Sequence, residues 1–140
     1  MPLEVFAPLA SLPGVTLYSL HKGPGQAQLS GVGAALKIVD LGAELDREGD
    51  AFVDTATVMV HLDLVVSTDT AIPHLAGALG RPVWLLPPHV PDWRWGAAGE
   101  MTPWYPTMRL FRQTTPGDWP AVFARVRTTL AAFSKESTQP

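Results

Sequence analysis

The residue types best suited to chemistry in this chain are Asp69, Thr70, Ala71 and His74, within the stretch STDTAIPHLAGALG (67–80). They place a carboxylate, a hydroxyl and an imidazole between two apolar runs, LDLVVS (62–67) and PVWLLP (82–87). Continuous Leu- and Val-rich runs of that length read as parallel strands covered on both faces. The segment between them, 70–79, reads as a helix closed by Gly80. Strand, tight turn, helix and strand make one βαβ unit. In an open parallel sheet, ligands bind at the carboxyl ends of the strands, and STDT is expected at the carboxyl end of a central one. The helix that begins there turns unpaired N–H groups and the positive end of its dipole toward that crevice, a fit for a phosphate or diphosphate. Pro73 has no N–H and belongs in the first helical turn, so Thr70 is expected as the N-cap, leaving the N–H groups of Ala71 and Ile72 free. The small residues Ala76, Gly77 and Ala78 let this helix come close to the sheet. Asp69 and Thr70 have a plainer use as helix caps. His74 taken alone fits a packed or surface histidine equally well.

The elements that must position these residues follow the same alternation along the chain, punctuated by Gly and Pro. Residues 2–12 read as a short helix with Pro2 near its start and Leu3, Phe6 and Leu9 on one face. TLYSLH (16–21) and KIVDLG (37–42) read as strands, with a turn and one helical turn between them. Asp50 is placed to cap a helix over 51–61. MRLFRQ (108–113) reads as an edge strand. A terminal helix over about 118–133 sets Trp119, Val122, Phe123, Val126, Leu130 and Phe133 on one stripe. The expectation is an α/β fold: one mostly parallel sheet with helices on both faces, a single domain over 1–134, and a flexible tail at 135–140.

Other candidate chemistries carry less weight. Trp84, Trp93, Trp95, Trp104 and Tyr105 suggest stacking on a base or sugar, but large rings this dense more often cover a core edge. Asp92 and Arg94 can close a salt bridge that orders this lid. His61 with Asp63, and His89 with Asp92, have metal-compatible spacing but no third ligand at motif distance. KGPG (22–25) follows a strand, yet the Walker and dinucleotide patterns are absent, and Lys22 reads first as a solvated lysine. Ser67 is not in a nucleophile elbow.

Composition bounds the function classes. The chain has 140 residues, 46% of them apolar and 16% charged, which describes a well-packed globule and not a disordered chain. A net charge of −3 gives no basic footprint for nucleic acid. With no cysteine there is no disulfide and no thiolate chemistry. No apolar run reaches membrane-spanning length and no signal peptide is evident, so a cytoplasmic protein is expected.

The segments DTAIPHLAGALGRPVWLL, PDWRW, PWYPTMRLFRQ and GDW together resemble the carboxyl-terminal half of bacterial glycosyltransferase-like proteins that often follow tetratricopeptide repeats. These are similar to family 9 heptosyltransferases and, more distantly, to the O-linked GlcNAc transferase. The likeness runs over almost the whole chain. It implies one Rossmann-like half of a GT-B fold, the half that holds a nucleotide-sugar donor. By the resemblance Asp69, Thr70, Ala71 and His74 line the donor diphosphate site; apart from the resemblance, Thr68, Lys22, Trp93 and Arg94 are the further candidates for contact that the residues themselves offer. The implied chemistry is glycosyl transfer without a metal or other cofactor. The departures are as informative. The family's first strand and following loop, its acceptor-side domain with the general base, and its 34-residue repeats have no counterpart here. Pro73 replaces a more usual small residue, and WGAAGEMTPWYP lacks a charged stretch. The resemblance therefore implies donor binding without transfer unless a partner, a second copy of the chain or an amino-terminal domain supplies the other wall. In that gap, TLYSLH either pairs directly with LDLVVS or leaves an edge for another chain. The alternative is a non-catalytic α/β module for binding or assembly.

Overall fold

In the computed structural model, which describes residues 1–136, the chain is α/β, with all strands parallel and arranged in two sheets. It divides into two compact units, Met1–Glu48 with Trp119–Pro140, and Gly49–Asp118.

In the first unit, a 3-10 turn over Leu3–Phe6 runs into α1 (Ala7–Ala10), so the expected single helix is tighter at its start. Strands β1 (Tyr18–Ser19) and β2 (Val39–Asp40) pair in parallel, Tyr18 opposite Val39. The terminal helix α4 (Trp119–Glu136) packs on α1 and the opening turn. The ring of Phe6 meets that of Phe123 edge-on at 4.7 Å, and Leu9, Val122 and Val126 are buried with them. The expected stripe is therefore the core face of α4, with Trp119 and Phe133 half-buried at its ends. Lys135 and Glu136, assigned above to a tail, extend the helix. Residues 137–140 of that tail lie outside the described residues.

The second unit holds the βαβ unit. Helix α2 spans Val53–Met59 and starts later than expected: Phe52, at φ 69°, is its N-cap, and the Asp50 side chain is not. The Asp50 carbonyl instead accepts from Val53 N at 3.5 Å, closing a turn ahead of the helix. Strand β3 (Val65–Ser67), helix α3 (Ala71–Ala78), strand β4 (Val83–Leu85) and strand β5 (Met108–Leu110) follow. The order is β3-β4-β5, with Val65 opposite Val83 and Val83 opposite Met108. Central burial falls on β4, where Val83 and Leu85 are fully enclosed, alongside Met108 and Leu110 of β5.

Two expectations about pairing change. β3 is an end strand of its sheet, with β4 at the centre, so STDT does not follow a central strand. Among the described residues, TLYSLH does not pair with LDLVVS: β1 joins only β2, in a separate sheet. Apolar character specifies that a run is buried and leaves its neighbour open, because pairing partners are chosen by register and connection geometry. Among the described residues, no helix is long and apolar enough to cross a membrane.

Candidate functional site at the start of α3

The turn after β3 is built from side chains that bond locally, as Ser, Thr and Asp do wherever a strand hands over to a helix. Ser67 Oγ donates to the Thr68 carbonyl at 3.0 Å and stands 3.5 Å from Thr70 Oγ1. Thr70 is the N-cap, in extended conformation (φ −142°), and its Oγ1 accepts from Ile72 N at 3.4 Å. That is a long bond, and it takes one of the two N–H groups expected to be free. Pro73 sits buried at the third helical position, where the missing N–H costs nothing. At the far end, Gly80 N and Arg81 N donate to the carbonyls of Gly77 and Ala76, the pair of bonds that stops a helix on a glycine.

His74, on the first turn, is the centre of a cluster. Its Nδ1 lies 3.0 Å from the Tyr105 hydroxyl, and its Nε2 lies 3.8 Å from Asp69 Oδ1. Trp95 covers the imidazole at 5.1 Å with a 31° tilt, and Tyr105 meets it edge-on at 5.7 Å. The hydroxyl is thus within hydrogen-bond reach of Nδ1, the Asp69 carboxylate stands beyond that reach of Nε2, and the ring is fixed on two sides. Gly77 allows this. A Cβ there would stand 2.6 Å from the Tyr105 ring, so only a glycine lets the tyrosine lie on α3. The small run thus serves Tyr105 at Gly77, while Ala76 is buried and Ala78 exposed.

The five aromatic residues are shared between β4, which carries Trp84, and the lid between β4 and β5. Trp84 and Trp95 are buried at 6% and 2% exposure, as a covered core edge requires, while Trp93 and Trp104 stay exposed at 74% and 53%. Trp93 and Trp104 meet edge-on at 6.1 Å, and Trp104 Nε1 donates to the Arg94 carbonyl at 3.0 Å. The expected Asp92–Arg94 contact is present. Asp92 Oδ1 accepts from Arg94 N at 3.0 Å and stands 3.4 Å from Nε, an ion pair without hydrogen-bond alignment.

Arg112 was not singled out by sequence reasoning. Its guanidinium donates to the carbonyls of Trp95, Gly96, Ala98 and Gly99, the segment that leads out of the Trp95 turn. Burial draws its pKa below the ordinary arginine value. Nothing in the spacing of MRLFRQ separates this arginine from Arg109, which pairs with the Glu100 carboxylate at 2.9 Å.

Asp69, Thr70, Ala71 and His74 are therefore together, with Thr68 in the same turn, and Tyr105 and Trp95 complete the group. Lys22 belongs to the other unit, where its ammonium donates to the carbonyls of Leu45 and Asp46. Among the described residues, no three His, Asp or Glu side chains gather as a metal ion needs.

The chain is similar to Protein FlbA of Caulobacter vibrioides, 30% identical over an alignment 140 residues long that covers 95% of this chain and 22% of FlbA. It thus spans about a fifth of that curated relative's length. No family model matches the sequence. No solved structure matches it.

Proposed function

We propose that the turn between β3 and α3 binds the diphosphate of a nucleotide-sugar donor, as in the glycosyltransferase-like proteins whose motifs the sequence resembles. The observation that carries this reading is the start of α3 at the carboxyl end of β3, with Thr70 as cap and His74 beside it. Helix N–H groups and the helix dipole favour a diphosphate there, and preorganised donors stabilise charge that develops on a departing nucleoside diphosphate. Thr70 and the backbone of Ala71 meet the phosphate oxygens in this reading, and His74 donates to them. Asp69 has a different part. A carboxylate repels phosphate, so its place 3.8 Å from His74 Nε2 suits it to orienting the imidazole. Transfer itself requires an acceptor-side wall and base supplied by residues outside these 140 or by a partner.

The test is a thermal-shift series with UDP, ADP, GDP and their sugars. A ligand that binds only the folded chain stabilises it by about 2.7 kcal/mol at a hundredfold excess over Kd. One nucleoside diphosphate should raise Tm, and a His74→Gln variant should reduce the rise. Radiolabelled nucleotide sugar incubated with the chain and candidate acceptors should give no transfer. Turnover by the chain alone would overturn the division of labour, and no shift with any nucleotide would overturn the site.

A second reading has its own support. Asp69, His74 and Tyr105 engage one another, as a structural cluster would. A non-catalytic binding or assembly module accounts for that as well, and it expects no nucleotide to shift Tm.

A further inference from the structure

We infer that Arg112 is a positioning residue for the His74 cluster: its guanidinium holds the backbone of residues 95–99 and thereby seats Trp95 against His74. The inference deepens the diphosphate reading of that site, and only its ligand-binding arm rests on it.

Residues 96–99 form no helix or strand, so their carbonyls have no ladder to join. Gly96 at φ 61° and Gly99 at φ 84° occupy the left-handed region that glycine enters freely, so the segment has little stiffness of its own. One planar guanidinium bonds three of its carbonyls, those of Gly96, Ala98 and Gly99, and that of Trp95 just before it. A lysine, with a single point of donation, has no equivalent fork. Arg112 itself stands two residues beyond the end of β5, whose Leu110 N donates to the Glu100 carbonyl at 2.7 Å, so the segment is tied at its far end as well.

Trp95 depends on this backbone more than a buried tryptophan usually does. Its indole is 2% exposed, yet among the described residues its N–H has no hydrogen-bond partner. Buried indole N–H groups are ordinarily bonded. Packing and the chain that carries it are left to fix the ring, and the carbonyl of Trp95 is one of the four that Arg112 holds. The ring in turn lies 5.1 Å from that of His74. Each step from guanidinium to imidazole is thus a direct contact.

The experiment compares Arg112→Lys, Arg112→Gln and Arg109→Gln with the parent chain. His74 ring resonances are assigned by their loss in His74→Gln, and they report the ring current of Trp95. In Arg112→Lys, which keeps the charge and most of the side-chain volume and hence the fold, these resonances should move toward their unfolded-chain positions. Exchange of the Trp95 and Gly96 amides, which bond the Asp92 and Trp93 carbonyls, should rise about tenfold, the effect of losing one charge-assisted hydrogen bond. Arg112→Gln should enlarge both changes. Arg109→Gln removes a guanidinium that pairs with the Glu100 carboxylate, and it should leave the His74 resonances where they are. UDP affinity should fall about tenfold in Arg112→Lys if the loosened segment is charged against binding. Unmoved His74 resonances in folded Arg112→Lys would overturn the positioning role, whatever UDP does. Moved resonances with no binding of UDP, ADP or GDP by the parent chain would uphold the positioning role and overturn the diphosphate reading.

Discussion

Thr70 and Gly77 each do one physical job that a single substitution can remove. Thr70→Val deletes the oxygen that accepts from Ile72 N while nearly keeping the shape, and should cost about 1 kcal/mol in urea unfolding. If the hydroxyl also meets phosphate, the nucleotide-induced rise in Tm shrinks by more than the cap alone explains. Gly77→Ala puts a methyl 2.6 Å from the Tyr105 ring. Something must shift, and overpacking of this kind costs about 1–3 kcal/mol, read as a lower unfolding midpoint. The displaced ring should also release the hydroxyl from His74 Nδ1, so tyrosine fluorescence should change together with stability. At this scale the sequence was legible where the chemistry was local. Asp69, Thr70 and His74 lie within a few residues of each other, and the capping rules and Pro73 locate them without any tertiary knowledge. Tyr105 is 31 residues from His74, and no local rule joins two residues so far apart. Arg112 escaped notice for a related reason: its partners are backbone carbonyls, which leave no mark in residue type.

Among the elements, β4 is the one that the rest of its sheet depends on. It alone has a strand on each side, and Leu85 is completely enclosed. Leu85→Ala should therefore cost about 2–5 kcal/mol in the same unfolding measurement. A cost below that range would mean that the sheet collapses around the cavity. The apolar runs announced each strand of this unit, but each run is longer than the three residues that pair. At Leu86 and Phe111 burial and cross-strand bonding both run one residue past the paired core, to the Ser67 and Leu85 carbonyls, and hydrophobicity does not mark where pairing stops. Strand order was hidden for the same reason. A both-face-buried run suits the centre of a sheet, yet β3 stands at an end. Helix α2 shows a third limit. The sequence offers Asp50 as a cap, while the chain spends a left-handed residue, Phe52, on the turn, a choice that the side-chain preferences of capping disfavour.

For the whole molecule, the division into two units has a consequence in time. The unit Gly49–Asp118 is continuous in sequence, so all its strands and α3 emerge from the ribosome before α4 does. The other unit is split, and its opening segment packs against α4, which is made after the whole of Gly49–Asp118. Phe6 and Leu9 must therefore wait, without Phe123 and Val126, through the synthesis of everything between. Domains generally fold as units as the chain emerges. A translational arrest peptide fused behind successive truncations should accordingly register pulling force twice. The first release should come when residue 118 clears the exit tunnel, and the second only when α4 does. A single late event would show that Gly49–Asp118 cannot fold until Met1–Glu48 has found its helix, and that the earlier-made segment is also the one that sets the clock.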